Sequence, residues 1–207
     1  MSESKAGRAL IIVDIQNDFC PGGSLAVEHA DEIVPIANSL AWEFKAAGDL
    51  VVATRDVHPA DHGSFASVAG VEVGTVGELG GVEQVFWPDH CVEGTPGADY
   101  HPGLDYSLFD AEFVKGTDRM IDSYSGFYDN DHQTSTGLAQ YLRNNGIEDV
   151  TVIGLATDFC VAATARDAIA EGFRTTVVAG ACRGVDLAPG DSERTLAELE
   201  QLGVKVV

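Results

Sequence analysis

Short runs of β-branched and other apolar residues alternate with longer amphipathic segments along most of this chain. The apolar runs cover residues 9–14, 50–55, 112–115, 150–155, 175–178 and 204–207, and the amphipathic segments cover 30–47, 134–144, 158–171 and 191–202. A glycine follows each amphipathic segment closely, where a helix C-cap belongs: Gly48, Gly146, Gly172 and Gly203. Strands that alternate with helices form βαβ units and a parallel sheet. The sequence therefore predicts an α/β fold, a doubly wound three-layer αβα domain around a mainly parallel six-stranded sheet.

The length of 207 residues suits one α/β domain with a sizeable core, so we assign residues 1–207 to a single domain. Residues 1–7 are predicted to form a flexible tail. Residues 57–110 are rich in Gly, Pro, His and Asp and contain one short candidate strand at 84–86. A long irregular segment inside a compact domain is usually functional. We therefore expect a metal- and substrate-binding loop region there.

The chain has 33 acidic and 12 basic residues, a formal net charge of −21. Such a charge argues against binding to nucleic acid or to anionic membranes, since both repel a negative surface. No apolar run approaches the ~20 residues that span a bilayer, and the N-terminus has no secretory signal pattern. Four widely separated cysteines in a chain of this length predict a reduced, cytoplasmic protein. Whether it is a monomer or a homo-oligomer is left open.

Four chemically useful residues follow predicted strands: Asp14, Asp56, Lys115 and Cys160. The carboxyl ends of parallel strands meet at one edge of a sheet, where such folds bind their ligands. Cys160 falls in the first turn of the predicted helix 158–171, where backbone N–H groups favour a thiolate. Asp14 would accept the thiol proton, and Lys115 would lower the thiol pKa. The simpler alternatives are a buried packing cysteine and a structural Asp14–Lys115 ion pair.

The second constellation is a set of metal-ligand residue types. Asp56, His58 and His62 lie within RDVHPADHGSF, and His90 lies in WPDHC. One carboxylate and three imidazoles suit Zn²⁺, Fe²⁺ or Mn²⁺. Cys91 is a weaker candidate ligand, because thiolate ligands usually occur together. Chance clustering of surface histidines is the alternative.

Three aromatic residues lie in loops that follow strand ends: Phe19, Trp87 and Tyr124. Aromatic side chains at such positions can enclose a flat ring, although each could also pack on the core for stability. The first strand is followed by VDIQNDFCPGG, which lacks the G-x-G-x-x-G of dinucleotide-binding domains. The pattern therefore favours a pocket for a small aromatic molecule and argues against a nucleotide site.

Five blocks occur in order between residues 13 and 168: VDIQNDFCPGG, RDVHPADHGSF, WPDHCVEGTPGADYHPGL, VKGTDRMIDSYSGF and GLATDFCVAATARDA. Together they resemble the nicotinamidase branch of the isochorismatase-like cysteine hydrolase superfamily. The resemblance implies a fold of that type, with roles for eleven residues. The implied catalytic triad is Asp14, Lys115 and Cys160, the metal ligands are Asp56, His58, His62 and His90, the oxyanion hole is the backbone of Ala156 and Cys160, and the ring-binding residues are Phe19, Trp87 and Tyr124.

The resemblance also implies a cis peptide between Leu155 and Ala156, and one divalent metal ion. The activity that it implies is hydrolysis of nicotinamide to nicotinate and ammonia through a thioester, as part of NAD salvage, with pyrazinamide accepted as well. Two alternatives remain. One is a superfamily amidohydrolase for N-carbamoyl or ureido substrates, and the other is a non-catalytic metal-binding module on the same fold.

Overall fold

The computed structural model describes residues 7–207. The predicted tail over residues 1–7 therefore lies outside the described residues, apart from Gly7. Gly7 is the first residue of strand β1 and is paired with Ile147 of a neighbouring strand. The tail prediction is wrong at this position, because strand pairing fixes the backbone of Gly7.

The described residues form strands and helices in the predicted alternation. The strands are β1 Gly7–Val13, β2 Leu50–Asp56, β3 Val76–Leu79, β4 Val82–Val85, β5 Ala111–Lys115, β6 Ile147–Leu155, β7 Arg174–Arg183 and β8 Lys205–Val206. The α-helices are α1 Val34–Ala46, α2 Ala66–Ala69, α3 Leu138–Asn144, α4 Ala162–Ala170 and α5 Asp191–Gln201. Short 3₁₀ turns cover Asn17–Phe19, Ala30–Ile33, Pro96–Ala98 and Tyr106–Leu108. Between residues 7 and 207, every helix falls short of the length and apolar character that a bilayer-spanning segment requires.

Six of the strands form one sheet in the order β5-β2-β1-β6-β7-β8, and every adjacent pair in it is parallel. The central strand β1 is completely buried from Ala9 to Val13, as expected for a strand that is covered on both faces. The connection from β1 to β2 moves across the sheet towards β5, whereas the connections from β6 to β7 and from β7 to β8 move across it towards the opposite edge. Right-handed crossovers in opposite directions place helices on both faces. The doubly wound prediction is confirmed, and the strand order reverses between β1 and β6.

Three predicted elements differ from the structure. The candidate strand at 84–86 belongs to an antiparallel hairpin of β3 and β4, which occupies part of the predicted loop region. Helix α3 begins at Leu138, four residues later than predicted, because Gly137 has a φ of +90° and Ser135 forms an antiparallel bridge with Tyr128. A π-helical turn, Thr157–Val161, replaces the first residues of the predicted helix 158–171, so that α4 starts at Ala162.

Candidate active site

Lys115, the last residue of β5, lies at the centre of a buried polar cluster. Its Nζ is 2.9 Å from Asp14 Oδ2 and 3.6 Å from Cys160 Sγ, and it also contacts Asp56. The same ammonium donates to the carbonyl oxygen of Ser123 at 2.9 Å. The Lys115 side chain is fully buried, so these partners replace its hydration. The three predicted catalytic side chains are therefore brought together.

Asp14 follows β1 at the position where the strand order reverses. Its φ of +49° turns the chain sharply out of the sheet, and the residue is completely buried. The hydroxyl of Thr54, on the adjacent strand β2, donates to Asp14 Oδ1 at 2.6 Å. Lys115 holds the other carboxylate oxygen, so both oxygens of Asp14 are fixed from neighbouring strands.

Cys160 lies in the π-helical turn after β6, and not in a regular helical turn as the sequence predicts. The Leu155–Ala156 peptide that leads into this turn is cis, as expected from the resemblance. The carboxylate of Asp158 accepts hydrogen bonds from the N–H groups of Val185 and Asp186, at 2.9 and 2.8 Å, and so links the turn to the loop after β7.

Burial dominates the electrostatics of the triad. It raises the pKa of the Cys160 thiol well above its usual value, although the Lys115 ammonium acts to lower it. Burial also raises the pKa of Asp14, against the effects of Lys115 and the Thr54 hydroxyl. The pKa of Lys115 lies well above its ordinary value, since Asp14 and Asp56 outweigh its desolvation. Lys115 is therefore a permanent cation beside a thiol and a carboxyl group that compete for one proton.

Asp56 ends β2 and links this cluster to the histidines. Gln16 fixes the Asp56 backbone, because its Nε2 donates to the Asp56 carbonyl at 2.8 Å and its Oε1 accepts from the Asp56 N–H at 2.9 Å. Burial alone would raise the pKa of Asp56, but Lys115, His58 and His90 bring it below its usual range. Asp56 is therefore ionised and faces the imidazoles.

The imidazoles of His58 and His90 are oriented by main-chain carbonyls. Nδ1 of His58 donates to the Gly116 carbonyl and Nδ1 of His90 to the Pro88 carbonyl, both at 2.8 Å. Gly116 allows this close approach, because a Cβ there would lie 2.4 Å from His58 Cε1. Each Nε2 is left with a free lone pair, which is the usual arrangement of a metal-ligating histidine. Burial and the neighbouring His58 lower the pKa of His90 to about 4, so His90 is neutral.

The donor set fits a divalent metal. Ligand atoms of Asp56, His58 and His90 lie within 4.8 Å of one another. His58 Nε2 is buried and has no hydrogen-bond partner among the described residues, and Asp56 Oδ2 is 3.7 Å away from it. A buried lone pair without a partner is costly unless a cation or a donor occupies the space beside it.

His62 is placed differently from the other predicted ligands. It groups with His58 and Asp122, whose ligand atoms also lie within 4.8 Å of one another. The Ser64 N–H donates to His62 Nδ1 at 3.2 Å, and His62 Nε2 donates to the Ile121 carbonyl at 3.3 Å. Both nitrogens of His62 therefore have protein partners, and its role as a ligand stays a prediction.

A pocket with a volume of ≈ 390 Å³, including the solvent-filled space at its entrance, is lined by Cys160, Asp56 and His90. The three predicted aromatic residues, Phe19, Trp87 and Tyr124, all line it. Trp87 Nε1 donates to the Tyr124 hydroxyl at 3.1 Å, and the Phe19 ring lies 5.5 Å from that of His90. Its mixture of aromatic walls and a polar floor suits a small, flat molecule that carries a polar group.

The comparisons with known proteins agree with this geometry. The model of the isochorismatase domain matches residues 8–207. The nicotinamidase of Escherichia coli (strain K12) is 46% identical over 196 residues, which are 95% of this chain and 92% of that protein. The chain belongs to the isochorismatase family.

Solved structures within this family superpose closely on the chain. An Acinetobacter baumanii nicotinamidase/pyrazinamidase has a TM-score of 0.92 at 45% identity, over 99% of this chain and 97% of its own. A Pyrococcus horikoshii pyrazinamidase in complex with zinc has a TM-score of 0.80 at 39% identity, over 97% of this chain and 98% of its own. Full-length similarity of this kind to amide-hydrolysing enzymes identifies the chain as an amidohydrolase of the isochorismatase family.

Several residues of this isochorismatase-family site are absent from the sequence-based assignment. Phe159 lines the pocket, and its ring packs edge-on against Trp87 with the centroids 4.9 Å apart. Asp122 lines the same pocket and is 3% exposed. Thr54 donates to the Asp14 carboxylate, and Gln16 hydrogen-bonds to the Asp56 backbone. The available signals were weak: Phe159 is adjacent to Cys160, and Asp122 is one of four aspartates in residues 116–133.

Proposed function

We propose that this chain is a metal-dependent cysteine amidohydrolase that converts nicotinamide to nicotinate and ammonia through a thioester. The observation that carries the proposal is the position of Lys115 Nζ, 2.9 Å from Asp14 Oδ2 and 3.6 Å from Cys160 Sγ, at the floor of an aromatic pocket. The nicotinamidase and pyrazinamidase relatives support nicotinamide as substrate and pyrazinamide as a second substrate.

The pyridine ring would bind between Phe19, Trp87 and Tyr124, with its carboxamide directed towards Cys160. Aromatic walls favour a flat ring through stacking and through the exclusion of water. Ala156, which directly precedes the π-helical turn, also lines the pocket, and its backbone would lie next to the bound carboxamide.

The reaction begins with transfer of the Cys160 proton to Asp14. The Sγ electron pair forms a bond to the carboxamide carbon, and the C=O π electrons move to the oxygen. Lys115 stabilises the thiolate while it exists, because its own proton is held by Asp14 and Asp56. The backbone N–H groups of Ala156 and Cys160 form the oxyanion hole that stabilises the negative oxygen.

The tetrahedral intermediate collapses when Asp14 returns the proton to the amide nitrogen. The C–N bond breaks, ammonia leaves, and the nicotinoyl group is bound to Sγ as a thioester. Asp14, again a carboxylate, accepts a proton from a water molecule that attacks the thioester carbon. The C–S bond then breaks, the thiolate recovers the proton from Asp14, and nicotinic acid is released, which loses its own proton to the solvent as nicotinate.

The residues that would hold the metal are Asp56, His58 and His90, with His62 as the further ligand that the resemblance implies. The metal would be zinc, iron or manganese. The zinc complex of the Pyrococcus horikoshii relative supports a divalent ion. When bound, such an ion supplies a Lewis acid that attracts the ring nitrogen and orients the substrate.

We place this activity in NAD salvage in the cytoplasm. The enzyme would act on a small molecule, and neither nucleic acid nor a membrane would be its partner. The support is the net charge of −21, which disfavours polyanionic partners, and the four cysteines, all of which are free thiols.

A substrate panel tests the proposal most directly. Purified protein is incubated with nicotinamide, pyrazinamide, an N-carbamoyl amino acid and isochorismate, and ammonia release is measured beside the metal content of the same preparation. We expect ammonia from the two aromatic amides and about one divalent ion per chain. Metal-loaded protein that releases no ammonia from any amide would refute the enzymatic proposal, and preference for the ureido acid would redirect it.

A further inference from the structure

Gln84, on strand β4, has a polar side chain at a position where an apolar one would be expected. It is 2% exposed and is the one buried residue among the eight of β3 and β4, all of which the structure describes. An amide at such a position costs free energy unless its polar atoms are hydrogen-bonded. Gln84 does not line the pocket, so it can act on the proposed reaction only through its neighbours.

Three oxygens surround the amide nitrogen of Gln84. Nε2 is 2.6 Å from the Val85 carbonyl oxygen, 2.8 Å from Asp122 Oδ2 and 3.2 Å from the Tyr124 hydroxyl. The carbonyl and the carboxylate only accept hydrogen bonds, so the nitrogen of the amide, and not its oxygen, faces this group. The Asp122 carboxylate, itself held by the Ser123 N–H at 2.8 Å, fixes the amide and keeps it against the Tyr124 hydroxyl.

The Tyr124 hydroxyl receives a second donor from the pocket wall. Trp87 Nε1 donates to it at 3.1 Å, and an indole N–H, like an amide N–H, can only donate. The Tyr124 oxygen therefore accepts from both Gln84 and Trp87. At the other end of the residue, the Tyr124 backbone N–H donates to Asn130 Oδ1 at 3.0 Å. The tyrosine is thus held both at its backbone and at the tip of its ring.

Phe159 completes the wall that this network supports. Its ring packs edge-on against Trp87 and Tyr124, with centroid distances of 4.9 and 5.5 Å, and all three rings line the pocket. The rings come from three separate segments: the loops after β4 and β5, and the π-helical turn. A wall whose rings are already oriented binds a flat ligand at a lower entropic cost than one that must be ordered on binding.

We propose that Gln84 is a positioning residue for the substrate ring: its amide holds Tyr124, and through the Tyr124 hydroxyl Trp87, in the orientation that receives the ring. The inference rests on the proposed function, which supplies the aromatic amide. Within residues 7–207, the Gln84 side chain hydrogen-bonds to no member of the catalytic triad. Gln84 therefore sets the affinity for the ring and leaves the chemical step unchanged.

The test is a double-mutant cycle of Gln84→Met and Tyr124→Phe in the full-length, metal-loaded chain. Methionine keeps the length of glutamine but has no N–H group. We expect Gln84→Met to raise the KM for nicotinamide by roughly 5–10-fold, the loss typical of one neutral hydrogen bond, with kcat within about twofold of the wild type. In the Tyr124→Phe background the same replacement should change KM by less than about twofold, because the hydroxyl on which Gln84 acts is gone.

Gln140→Met is the matched control for the chemical change. Gln140 is exposed on α3, and its amide donates to Asn144 Oδ1 at 2.6 Å. This variant should keep the wild-type KM and kcat.

An equal rise in KM in both backgrounds overturns the inference, because Gln84 would then act by a route other than the Tyr124 hydroxyl. An unchanged KM for Gln84→Met overturns it as well, and so does a fall in kcat that accompanies a loss of bound metal in elemental analysis. If Gln84→Met does not fold, Gln84→Asn, whose amide is one methylene shorter, takes its place in the cycle and is judged by the same ratios.

Binding without turnover separates this inference from the proposed function. The cycle is repeated in the Cys160→Ala background, with the Kd for nicotinamide measured by calorimetry. Coupled effects on Kd, together with a wild type that releases no ammonia, leave the positioning role standing and remove the enzymatic function. Ammonia release by the wild type with independent effects on Kd does the reverse. A wild type that does not bind nicotinamide removes both.

Discussion

Replacing Lys115 with methionine tests the catalytic arrangement most severely. Methionine fills similar space but removes the only charge among residues 7–207 that contacts both Asp14 and Cys160. At the observed 3.6 Å between Nζ and Sγ, and an effective dielectric constant of about 20, the lost attraction for a thiolate is about 4–5 kcal/mol. Since about 1.4 kcal/mol corresponds to a factor of ten, we expect kcat to fall by roughly 10³-fold.

The same substitution leaves two buried carboxylates, Asp14 and Asp56, without their shared cation. Breaking a buried pair of this kind typically costs about 3–5 kcal/mol of folding free energy, so the thermal midpoint should also fall. The measurement must therefore separate chemistry from folding. Ammonia release is assayed well below the melting temperature of the variant, after circular dichroism has confirmed that the sample is folded.

Lys45→Met is the matched control. Lys45 pairs with Asp110 at 2.5 Å, but it is one-third exposed and does not line the pocket. Exposed pairs contribute about 0–1 kcal/mol, so this variant should keep wild-type kcat and nearly wild-type stability. A folded Lys115→Met protein that retains kcat within tenfold of the wild type would refute the role assigned to the ammonium.

Three further substitutions test other parts of the site. Cys160→Ala should abolish ammonia release while metal content by elemental analysis stays unchanged; residual turnover would mean that the nucleophile is another residue. His58→Ala should lower the bound metal to a small fraction of the wild-type value, and equal metal content in the two proteins would contradict the proposed site. Thr54→Val removes the 2.6 Å hydrogen bond that stabilises ionised Asp14. The pKa of Asp14 should then rise further, so the acidic limb of the kcat/KM profile moves to higher pH, and an unmoved limb would count against Asp14 as the base.

The central sheet could be predicted because its physics is repetitive. Strands buried on both faces give continuous apolar runs, and the glycines that follow the helices mark the junctions. The hairpin of β3 and β4 gave no such pattern. Three of the four residues of β3 are exposed, with Val76 at 60%, so no alternation of buried and exposed positions appears in its sequence.

The reacting groups could be predicted for a related reason. Asp14, Lys115 and Cys160 each follow a recognisable strand, and the ends of parallel strands meet at one edge. Asp122, Phe159 and Gln84 could not be found in this way. They come from a loop, a π-helical turn and a short hairpin strand, where no periodicity relates position in the sequence to position in space. The start of α3 was missed similarly, because Thr136 donates to the Gly126 carbonyl at 2.6 Å and Ser135 forms an antiparallel bridge with Tyr128.

The parallel sheet has a consequence for how this enzyme fails. Asp14, Asp56, Lys115 and Cys160 follow or end four different strands, β1, β2, β5 and β6, which are neighbours in the sheet although they span nearly 150 residues of sequence. No fragment of the chain that lacks one of these strands can retain a partial site. In a urea titration, ammonia release therefore reports the cooperative assembly of the whole sheet, and a nicked or truncated chain should be inactive and not merely slow.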